Sequence, residues 1–384
     1  MRRALLPVLA SLSLAACSTI SDSLDAINPF STSGPKMAPL KPLTVTVDVK
    51  TQWSASLGKS GEQVFHPAVV GDTVYAAAQD GSLAKIEDGR KVWQIKAPQP
   101  LSGGVGADAR LVVAGTRSGE VFAFSTTDGR LLWQVRVSSE VLAPPVVGEA
   151  GVAVRSGDNR IALLALEDGA RKWVYQRSTP PLSIRSTAAP VFSDRYLFAG
   201  FPGGKLVALA TANGAPVWEG TVAQPKGATE VDRAADVVAS PVVDGRQICA
   251  VAFQGRVACF DMGQGGALVW SRELSSAAGL SLDGRYLFVT DDKGAVHALD
   301  RLTGSSLWKQ AALHNRRVSA PAVKRGLVAV ADAEGLVHFL SREDGSFVAR
   351  KQTDGTPVRA AVQPMGSGFV VQTAGGSISK FEAQ

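Results

Sequence analysis

The chain has 384 residues and a formal net charge of +6, with 40 lysines and arginines against 34 aspartates and glutamates. No run of basic residues is interleaved with aromatic residues, so the composition argues against a nucleic-acid-binding protein. A mildly basic surface of this kind is compatible with an acidic protein partner or with lipid phosphates.

The N-terminus is typical of a processing segment. Arg2 and Arg3 precede an apolar stretch, residues 4–13, that is too short to span a membrane as a helix. Leu-Ala-Ala-Cys at 14–17 matches the lipobox, at which bacterial lipoproteins are acylated on cysteine and cleaved before it. The sequence predicts a signal peptide at 1–16 and lipidation of Cys17; an ordinary signal peptide with a chance cysteine is the alternative. Serine rather than aspartate after the cysteine favours the outer membrane.

Residues 18–42 contain serine, proline and asparagine without hydrophobic periodicity. We therefore expect residues 17–42 to form a lipidated cysteine and a flexible tether, with a maximum reach of about 80 Å. Acyl chains on Cys17 would hold the protein at the membrane, and we expect no transmembrane helix.

The tryptophans define a repeat in the remaining segment, 43–384. They occur 40, 40, 40, 45, 52 and 38 residues apart, each at the same end of a similar unit. The positions are Trp53, Trp93, Trp133, Trp173, Trp218, Trp270 and Trp308. A period near 40 with a recurrent aromatic residue is typical of a β-propeller, in which each repeat forms one four-stranded blade.

Each unit consists of short apolar runs separated by glycine-containing turns, as four antiparallel strands require. The turn dipeptides are Asp80-Gly81, Asp128-Gly129, Asp168-Gly169, Asn213-Gly214 and Asp344-Gly345. Glycine supplies the positive φ of such hairpin turns. Many strands are apolar on both faces, as expected where sheets stack on neighbouring sheets.

Counting the units predicts eight blades. The eighth tryptophan-equivalent position lies near 348–349, and strands are expected near 358–363, 368–372 and 377–381 before the chain ends, one strand short of a blade. We predict that an N-terminal strand at 43–57, which contains Trp53, completes this blade, because closing the ring removes exposed sheet edges. The alternative is a seven-bladed ring that leaves the N-terminal unit outside.

Cys249 and Cys259 lie on adjacent strands of one predicted blade. A two-residue loop at 254–255 places their side chains on opposite faces, and we expect two buried free thiols on this basis. A three-residue loop would place them opposite each other, and an oxidising compartment permits the disulfide. The sequence leaves both possibilities open.

No catalytic or metal-binding pattern is evident. The four histidines, His66, His297, His314 and His338, lack zinc-site spacing, and no Gly-x-Ser-x-Gly elbow, P-loop or EF-hand occurs. The repeat resembles the blades of pyrroloquinoline-quinone dehydrogenases, which raises an enzyme as an alternative. Those enzymes are longer and carry insertions with cofactor and calcium ligands, for which this chain has little spare length. We therefore expect no catalysis, no cofactor and no metal.

The repeat is interrupted by two consecutive insertions. Five extra residues lie between the fourth and fifth tryptophans and twelve between the fifth and sixth. They form a first loop, residues 174–187, and a second loop, residues 219–238. Both connect the outer strand of one blade to the inner strand of the next, so they share one face, and binding residues concentrate on such loops.

The composition of both loops is that of a protein interface. Leu182 and Ile184 are apolar residues in a polar loop, and arginine, here Arg185, is a frequent hot-spot residue. The second loop carries a mixed-charge rim formed by Glu230, Asp232, Arg233 and Asp236. The alternative is that the two apolar side chains pack into the disc and that the acids are merely solvated.

The lipobox, the tether and the eight-bladed repeat together resemble the BamB family, the propeller lipoproteins of the bacterial outer-membrane β-barrel assembly machinery. The resemblance covers essentially the whole chain. Leu182-Ser183-Ile184-Arg185 matches the family's Leu-Ser-Leu-Arg-like motif. Residues 230–238, Glu-Val-Asp-Arg-Ala-Ala-Asp-Val-Val, match a Glu-Ile-Asp-Arg-Leu-Ser-Asp-Val-Asp-like motif. The last family aspartate is replaced by Val238, which puts one acidic contact in doubt; Asp232 is the candidate substitute.

The resemblance implies a non-enzymatic scaffold subunit of the Bam complex, lipid-anchored in the outer membrane and facing the periplasm. In the family, the two loops bind a POTRA domain of BamA, the barrel-forming subunit. The residues expected at this contact are Leu182, Ser183, Ile184, Arg185, Glu230, Asp232, Arg233 and Asp236. The clients would be unfolded outer-membrane proteins, received at blade edges by β-augmentation or served indirectly by positioning BamA. An envelope propeller with another partner, and a quinoprotein-like enzyme, are the alternatives.

Overall fold

The computed structural model describes residues 36–178 and 180–384. Its compact unit comprises Ala38–Gln384. The predicted signal peptide, Cys17 and most of the predicted tether lie outside the described residues.

The compact unit is an eight-bladed β-propeller, as the repeat predicts. Every blade is a four-stranded antiparallel sheet, and in seven of the eight blades the strands lie in sequence order from the inner to the outer strand. Blades 1 to 3 contain β2 Ala68–Val70, β3 Thr73–Ala77, β4 Ser82–Glu87, β5 Arg90–Lys96; β6 Gly106–Ala107, β7 Leu111–Gly115, β8 Glu120–Ser125, β9 Leu131–Arg136; β10 Val146–Gly148, β11 Gly151–Arg155, β12 Ile161–Leu164 and β13 Arg171–Tyr175.

Blades 4 to 7 follow the same plan around the ring. They contain β14 Val191–Ser193, β15 Tyr196–Phe201, β16 Lys205–Ala210, β17 Pro216–Thr221; β18 Val242–Asp244, β19 Gln247–Val251, β20 Arg256–Asp261, β21 Ala267–Glu273; β22 Gly279–Asp283, β23 Tyr286–Thr290, β24 Val296–Asp300, β25 Ser306–Gln310; β26 Ala322–Lys324, β27 Leu327–Ala331, β28 Leu336–Ser341 and β29 Phe347–Gln352. A short 3-10 helix, Met262–Gln264, precedes β21.

Blade 8 closes the ring with strands from both ends of the chain. It contains β30 Gln363–Met365, β31 Gly368–Gln372, β32 Ser377–Ala383 and, as its outer strand, β1 Val49–Ser56. β1 pairs with β32 from Val49 opposite Ala383 to Ser56 opposite Ser377. This confirms the predicted closure and excludes the seven-bladed alternative.

Two strand boundaries in blade 8 differ from the sequence prediction. The strand expected at 358–363 begins only at Gln363, because residues 358–362 form the segment that leads into the blade. In that segment the Val358 N–H donates to the Asp332 carbonyl of blade 7. Residues 43–48 also precede the strand β1, and the N–H groups of Thr46 and Val47 donate to the Val348 carbonyl.

Residues 38–47 form a strap along blade 7 that includes the end of the predicted tether. The Ala38 N–H donates to the His314 carbonyl (2.9 Å), and the Ala38 carbonyl accepts from Arg316 Nη1 (3.1 Å). Leu40 packs against the core between blades 6 and 7. The strap is therefore fixed to blade 7 and to the seam between blades 6 and 7.

The tryptophans interlock neighbouring blades. Each ring packs on a turn glycine of the following blade, and these glycines are Gly89, Gly129, Gly169, Gly214, Gly266, Gly304 and Gly345. Their φ values lie between +71° and +78°, and a Cβ on any of them would come within 1.9 to 3.1 Å of the tryptophan. Five of the indole N–H groups also donate to a backbone carbonyl of the following blade.

Blade 7 has Ala349 where the other blades have tryptophan. Ala349 pairs with Phe339, as Trp308 pairs with Ala298 in blade 6. Phe339 instead packs against Phe369 and Phe381 of blade 8, with ring centroids 5.8 and 6.2 Å apart. The apolar contact between these blades is thus made from the neighbouring strand.

Cys249 and Cys259 form a disulfide, so the expectation of two free thiols was wrong. They are paired residues of β19 and β20, with Cα atoms 4.1 Å apart and both side chains buried. Ala252 N–H donates to the Arg256 carbonyl, which leaves a three-residue loop at 253–255. The odd number of loop residues places both cysteines on the same face of the sheet.

Candidate functional site

The two insertions lie side by side on one face of the propeller. The first connects β13, which ends at Tyr175, to β14. The second connects β17, which ends at Thr221, to β18. Because both run from an outer to an inner strand, they occupy the face on which every such connection lies. The structure describes both insertions except for residue 179.

Asp236 belongs to the second loop and connects it to the first loop beneath their exposed residues. Its carboxylate accepts the N–H of Ile184 in the first loop (2.7 Å) and the N–H of Gly203 in the hairpin between β15 and β16 (3.0 Å). Its own carbonyl accepts the Phe253 N–H of blade 5 (2.9 Å). The residue is only 1% exposed. The sequence suggested an acid on a charged rim, whereas the structure places this one beneath both loops.

A buried arginine lies close to Asp236. Arg155, 3% exposed, donates to the Gly200 carbonyl (2.8 Å) and to Asn159 Oδ1 (3.1 Å), with its guanidinium 5.4 Å from the Phe201 ring centroid. Burial lowers the pKa of Arg155 to about 10, and the negative charge of Asp236 opposes this shift. Asp236 therefore offsets the charge of Arg155 as well as fixing the first loop.

The first loop presents side chains outward around this fixed point. Leu182 is 44% exposed, whereas Ser183 and Ile184 are half-buried. The side chain of Arg185 is 75% exposed, and its nearest acid is Glu140, at 3.9 Å. An exposed leucine therefore lies three residues from an exposed, weakly paired arginine.

The second loop forms a tight turn that presents an apolar tip. The N–H of Thr229 donates to Asp232 Oδ2 and the N–H of Asp232 donates to Thr229 Oγ1, both at 3.1 Å. The side-chain hydrogen bond from Thr229 is the main reason that the pKa of Asp232 lies below its ordinary value. Glu230 and Arg233 form an ion pair (2.5 Å) across the turn.

Val231 lies at this tip with 63% of its surface exposed. The sequence motifs do not single out Val231, although an isolated valine between charged residues in a loop is a usable signal of an exposed contact. Its exposure adds a second apolar residue to the face on which Leu182 is exposed.

The bases of the loops are also tied together. The guanidinium of Arg177 in the first loop forms an ion pair with the carboxylate of Glu219, which also lies 3.3 Å from Lys205 Nζ. The hydrogen bond from Arg177 is the main cause of the lowered pKa of Glu219. The two loops therefore share contacts at both their base and their middle.

Val238, at the position where the family motif has an acid, is only 7% exposed. Its carbonyl accepts from Ser186 Oγ (3.4 Å), and its side chain lies in the wall of the central channel. The structure thus separates Val238 from the exposed charged residues of the second loop.

The described residues contain no cluster of three histidine, cysteine or acidic side chains arranged to hold a metal ion. Within the same part of the chain, no helix has the length and apolar character needed to cross a membrane.

Comparison with known proteins identifies the family. The family model described as outer membrane protein assembly factor BamB matches residues 79–310 and 303–384. The chain belongs to the BamB family. The BamB of Bordetella pertussis is 42% identical over 369 residues, which cover 96% of this chain and 93% of that protein. The crystal structure of BamB from Moraxella catarrhalis superposes with a TM-score of 0.82 at 30% identity, covering 87% of this chain and all of the other.

The propeller itself is shared more widely than the BamB family. Quinohemoprotein alcohol dehydrogenase from Comamonas testosteroni gives a TM-score of 0.70 at 13% identity, over 87% of this chain and 76% of that enzyme. At this identity the likeness concerns the fold alone. The full-length BamB relatives, rather than the dehydrogenase fold, indicate the class of this protein: an assembly factor.

Proposed function

We propose that this protein is a subunit of the outer membrane protein assembly complex and docks on a POTRA domain of BamA through its two loops. Membership of the BamB family, whose members are named assembly factors, supports the general role. The observation that carries the docking site is the pair of loops held together by Asp236 with Leu182, Arg185 and Val231 exposed above it.

The exposed side chains provide the parts of a small interface. Leu182 and Val231 supply apolar surface, and Arg185 supplies an exposed cation that lies 3.9 Å from Glu140, its one ion-pair partner among the described residues. Glu230 and Arg233 form a paired, solvated rim. Apolar and arginine anchors contribute most of the binding free energy in such interfaces, and rim charges contribute mainly to orientation. We infer that Arg185 meets a carboxylate of the partner.

The remaining parts of the proposal concern the place and mode of action. The protein acts without catalysis. Acyl chains on Cys17 anchor it to the outer membrane, and it faces the periplasm. It assists the folding and insertion of outer-membrane β-barrels by receiving clients or by holding BamA in position. The lipobox and the BamB relatives support this location.

A pull-down from detergent-solubilised membranes tests the docking site. We expect the tagged wild type to retain BamA and the double variant Leu182→Ala, Arg185→Ala to lose it, because removing two anchors weakens binding by roughly a hundredfold. Val92 and Arg90 provide the matched control, since they are an exposed apolar and an exposed arginine residue on β5, outside the loops. Their alanine double variant should bind as the wild type does.

Two outcomes contradict different parts of the proposal. Retention of BamA by the folded loop variant would reject the docking site and leave the family role intact. Failure of the wild type to retain BamA would reject the assembly role for this protein.

A further inference from the structure

The central channel is a second place in the molecule where a ligand fits. It encloses about 760 Å³ and is lined by the first strands of the blades and the segments that lead into them. Valine, alanine, proline and glycine make up most of this wall, including Pro67, Pro145, Pro241 and Val238. An apolar chain can therefore replace water along much of the channel.

The charged residues in the wall have one sign. Among the described lining residues, Arg317 and Arg359 are charged, and neither aspartate nor glutamate occurs. Arg317 has no ion pair in the described part of the chain, and Arg359 donates to the Gly61 carbonyl rather than to a carboxylate. Two arginines without acidic partners beside apolar surface attract a carboxylate in particular, because the guanidinium geometry matches it.

The basic residues lie together at one side of the channel mouth. Arg317 precedes the inner strand of blade 7 and Arg359 that of blade 8. His66 precedes the inner strand of blade 1, so three consecutive blades contribute to this arc. Burial lowers the pKa of His66 to about 4, so this histidine adds a neutral polar group and not a third cation at pH 7.

We propose that the channel binds an apolar chain that ends in a carboxylate, with the carboxylate on Arg317 and Arg359 and the chain against the valine, alanine and proline wall. A fatty acid and the C-terminus of an apolar peptide both offer this chemistry. The proposal is independent of the loop interface, because the two arginines lie on blades 7 and 8 and the loops lead into blades 4 and 5.

Calorimetric titration of residues 18–384, which contain the whole compact unit and need no detergent, tests the proposal. The probes are decanoate below its micellar concentration, its neutral analogue decanamide, and an apolar hexapeptide with a free or an amidated C-terminus. We expect saturable binding of at least one free carboxylate and at least tenfold weaker binding of its amide. Decanoate alone would identify a fatty acid as the source, and the free peptide alone would identify a C-terminus.

Two variants and a control locate the bound carboxylate. Arg317→Gln removes a cation and Val238→Asp adds an acid to the wall, so each should weaken binding at least tenfold. Arg90→Gln removes an exposed arginine outside the channel and should bind as the wild type does. Circular dichroism and melting confirm that each variant is folded.

The proposal is overturned if no free carboxylate binds, if the amides bind equally well, or if folded Arg317→Gln binds as tightly as the wild type. The loop variant Leu182→Ala, Arg185→Ala should retain carboxylate binding. This result separates the channel from the docking surface whichever way the pull-down turns out.

Discussion

At the scale of single residues, Asp236 shows how burial changes the meaning of a motif. The sequence places it among charged loop residues and suggests direct contact with a partner. In the structure its carboxylate accepts the backbone N–H groups of Ile184 and Gly203 and offsets the buried charge of Arg155. We infer that Asp236 positions the first loop, while Leu182 and Arg185 provide the contact.

The Asp236→Asn substitution tests this positioning role. It removes the negative charge and replaces one accepting carboxylate oxygen with an NH2 group that faces the backbone N–H of Ile184 or Gly203, so we expect a loss of about 1–3 kcal/mol in the free energy of unfolding. Amide hydrogen exchange at Ile184 should accelerate, and BamA docking should weaken although no exposed side chain has changed. Asp232→Asn, on the exposed turn, should reduce the free energy of unfolding less than Asp236→Asn does. Unchanged exchange at Ile184 would contradict the positioning role.

At the scale of elements, the contact between tryptophan and glycine explains why glycine recurs from blade to blade better than the turn conformation alone does. A positive φ accounts for glycine in each turn, but the tryptophan of the preceding blade also needs the space that a side chain would occupy. A Cβ on Gly169 would lie 2.7 Å from Cε3 of Trp133. The same residue therefore serves the hairpin and the packing between blades.

The Gly169→Ala substitution separates these two contributions. Both Gly169, with φ +71°, and Gly245, with φ +57°, have left-handed backbone, but a Cβ on Gly245 meets nothing within 4 Å. Gly245→Ala should cost only the backbone strain of about 1 kcal/mol. Gly169→Ala adds a clash with Trp133 and should cost roughly 2–4 kcal/mol. Denaturant unfolding measures both, and equal costs would show that the packing contributes nothing.

At the scale of the whole molecule, ring closure makes the eight blades one structure. β1 pairs with β32, and Gln384 N–H donates to the Asp48 carbonyl, so the first strand of the propeller and the C-terminal residue meet in blade 8. No blade then ends the series with an unpacked face, because the tryptophan of β1 packs on Gly89 of blade 1. The strap at residues 38–47, which lies along blade 7, leads directly into β1.

His66 contributes to the stability of the whole propeller against acid. Its folded pKa of about 4 lies below its ordinary value of 6.5 because burial disfavours the cation. Between these values the unfolded chain binds more protons, so this contribution to stability is lost as the pH falls from about 6.5 to 4. The change amounts to at most about 3 kcal/mol.

As the pH falls from about 6.5 to 4, the free energy of unfolding should therefore decrease less in the His66→Gln variant than in the wild type. Urea unfolding at several pH values between 7 and 4 measures the difference. His314→Gln, at an exposed position, provides the control and should follow the wild type. Parallel pH profiles for wild type and His66→Gln would contradict the role assigned to His66.

The sequence predicted most of the fold because its signals are local and repeated. Tryptophan spacing, turn glycines and the incomplete last unit predict eight blades and their closure, and the structure confirms both. Strand boundaries at 358–363 and 43–57 were less accurate. Segments that lead into a blade are as apolar as strands, and only pairing with a neighbour distinguishes the two.

The sequence alone determined the architecture, the loops and the lipobox, since each depends on residue order or on interruption of a period. The tertiary structure decided which loop residues are exposed, because Asp236 and Val231 differ in burial through contacts with other blades. It also decided the disulfide, through the loop at 253–255, and the position of Val238 in the channel wall. These features depend on register and on distant segments, which a period along the chain does not specify.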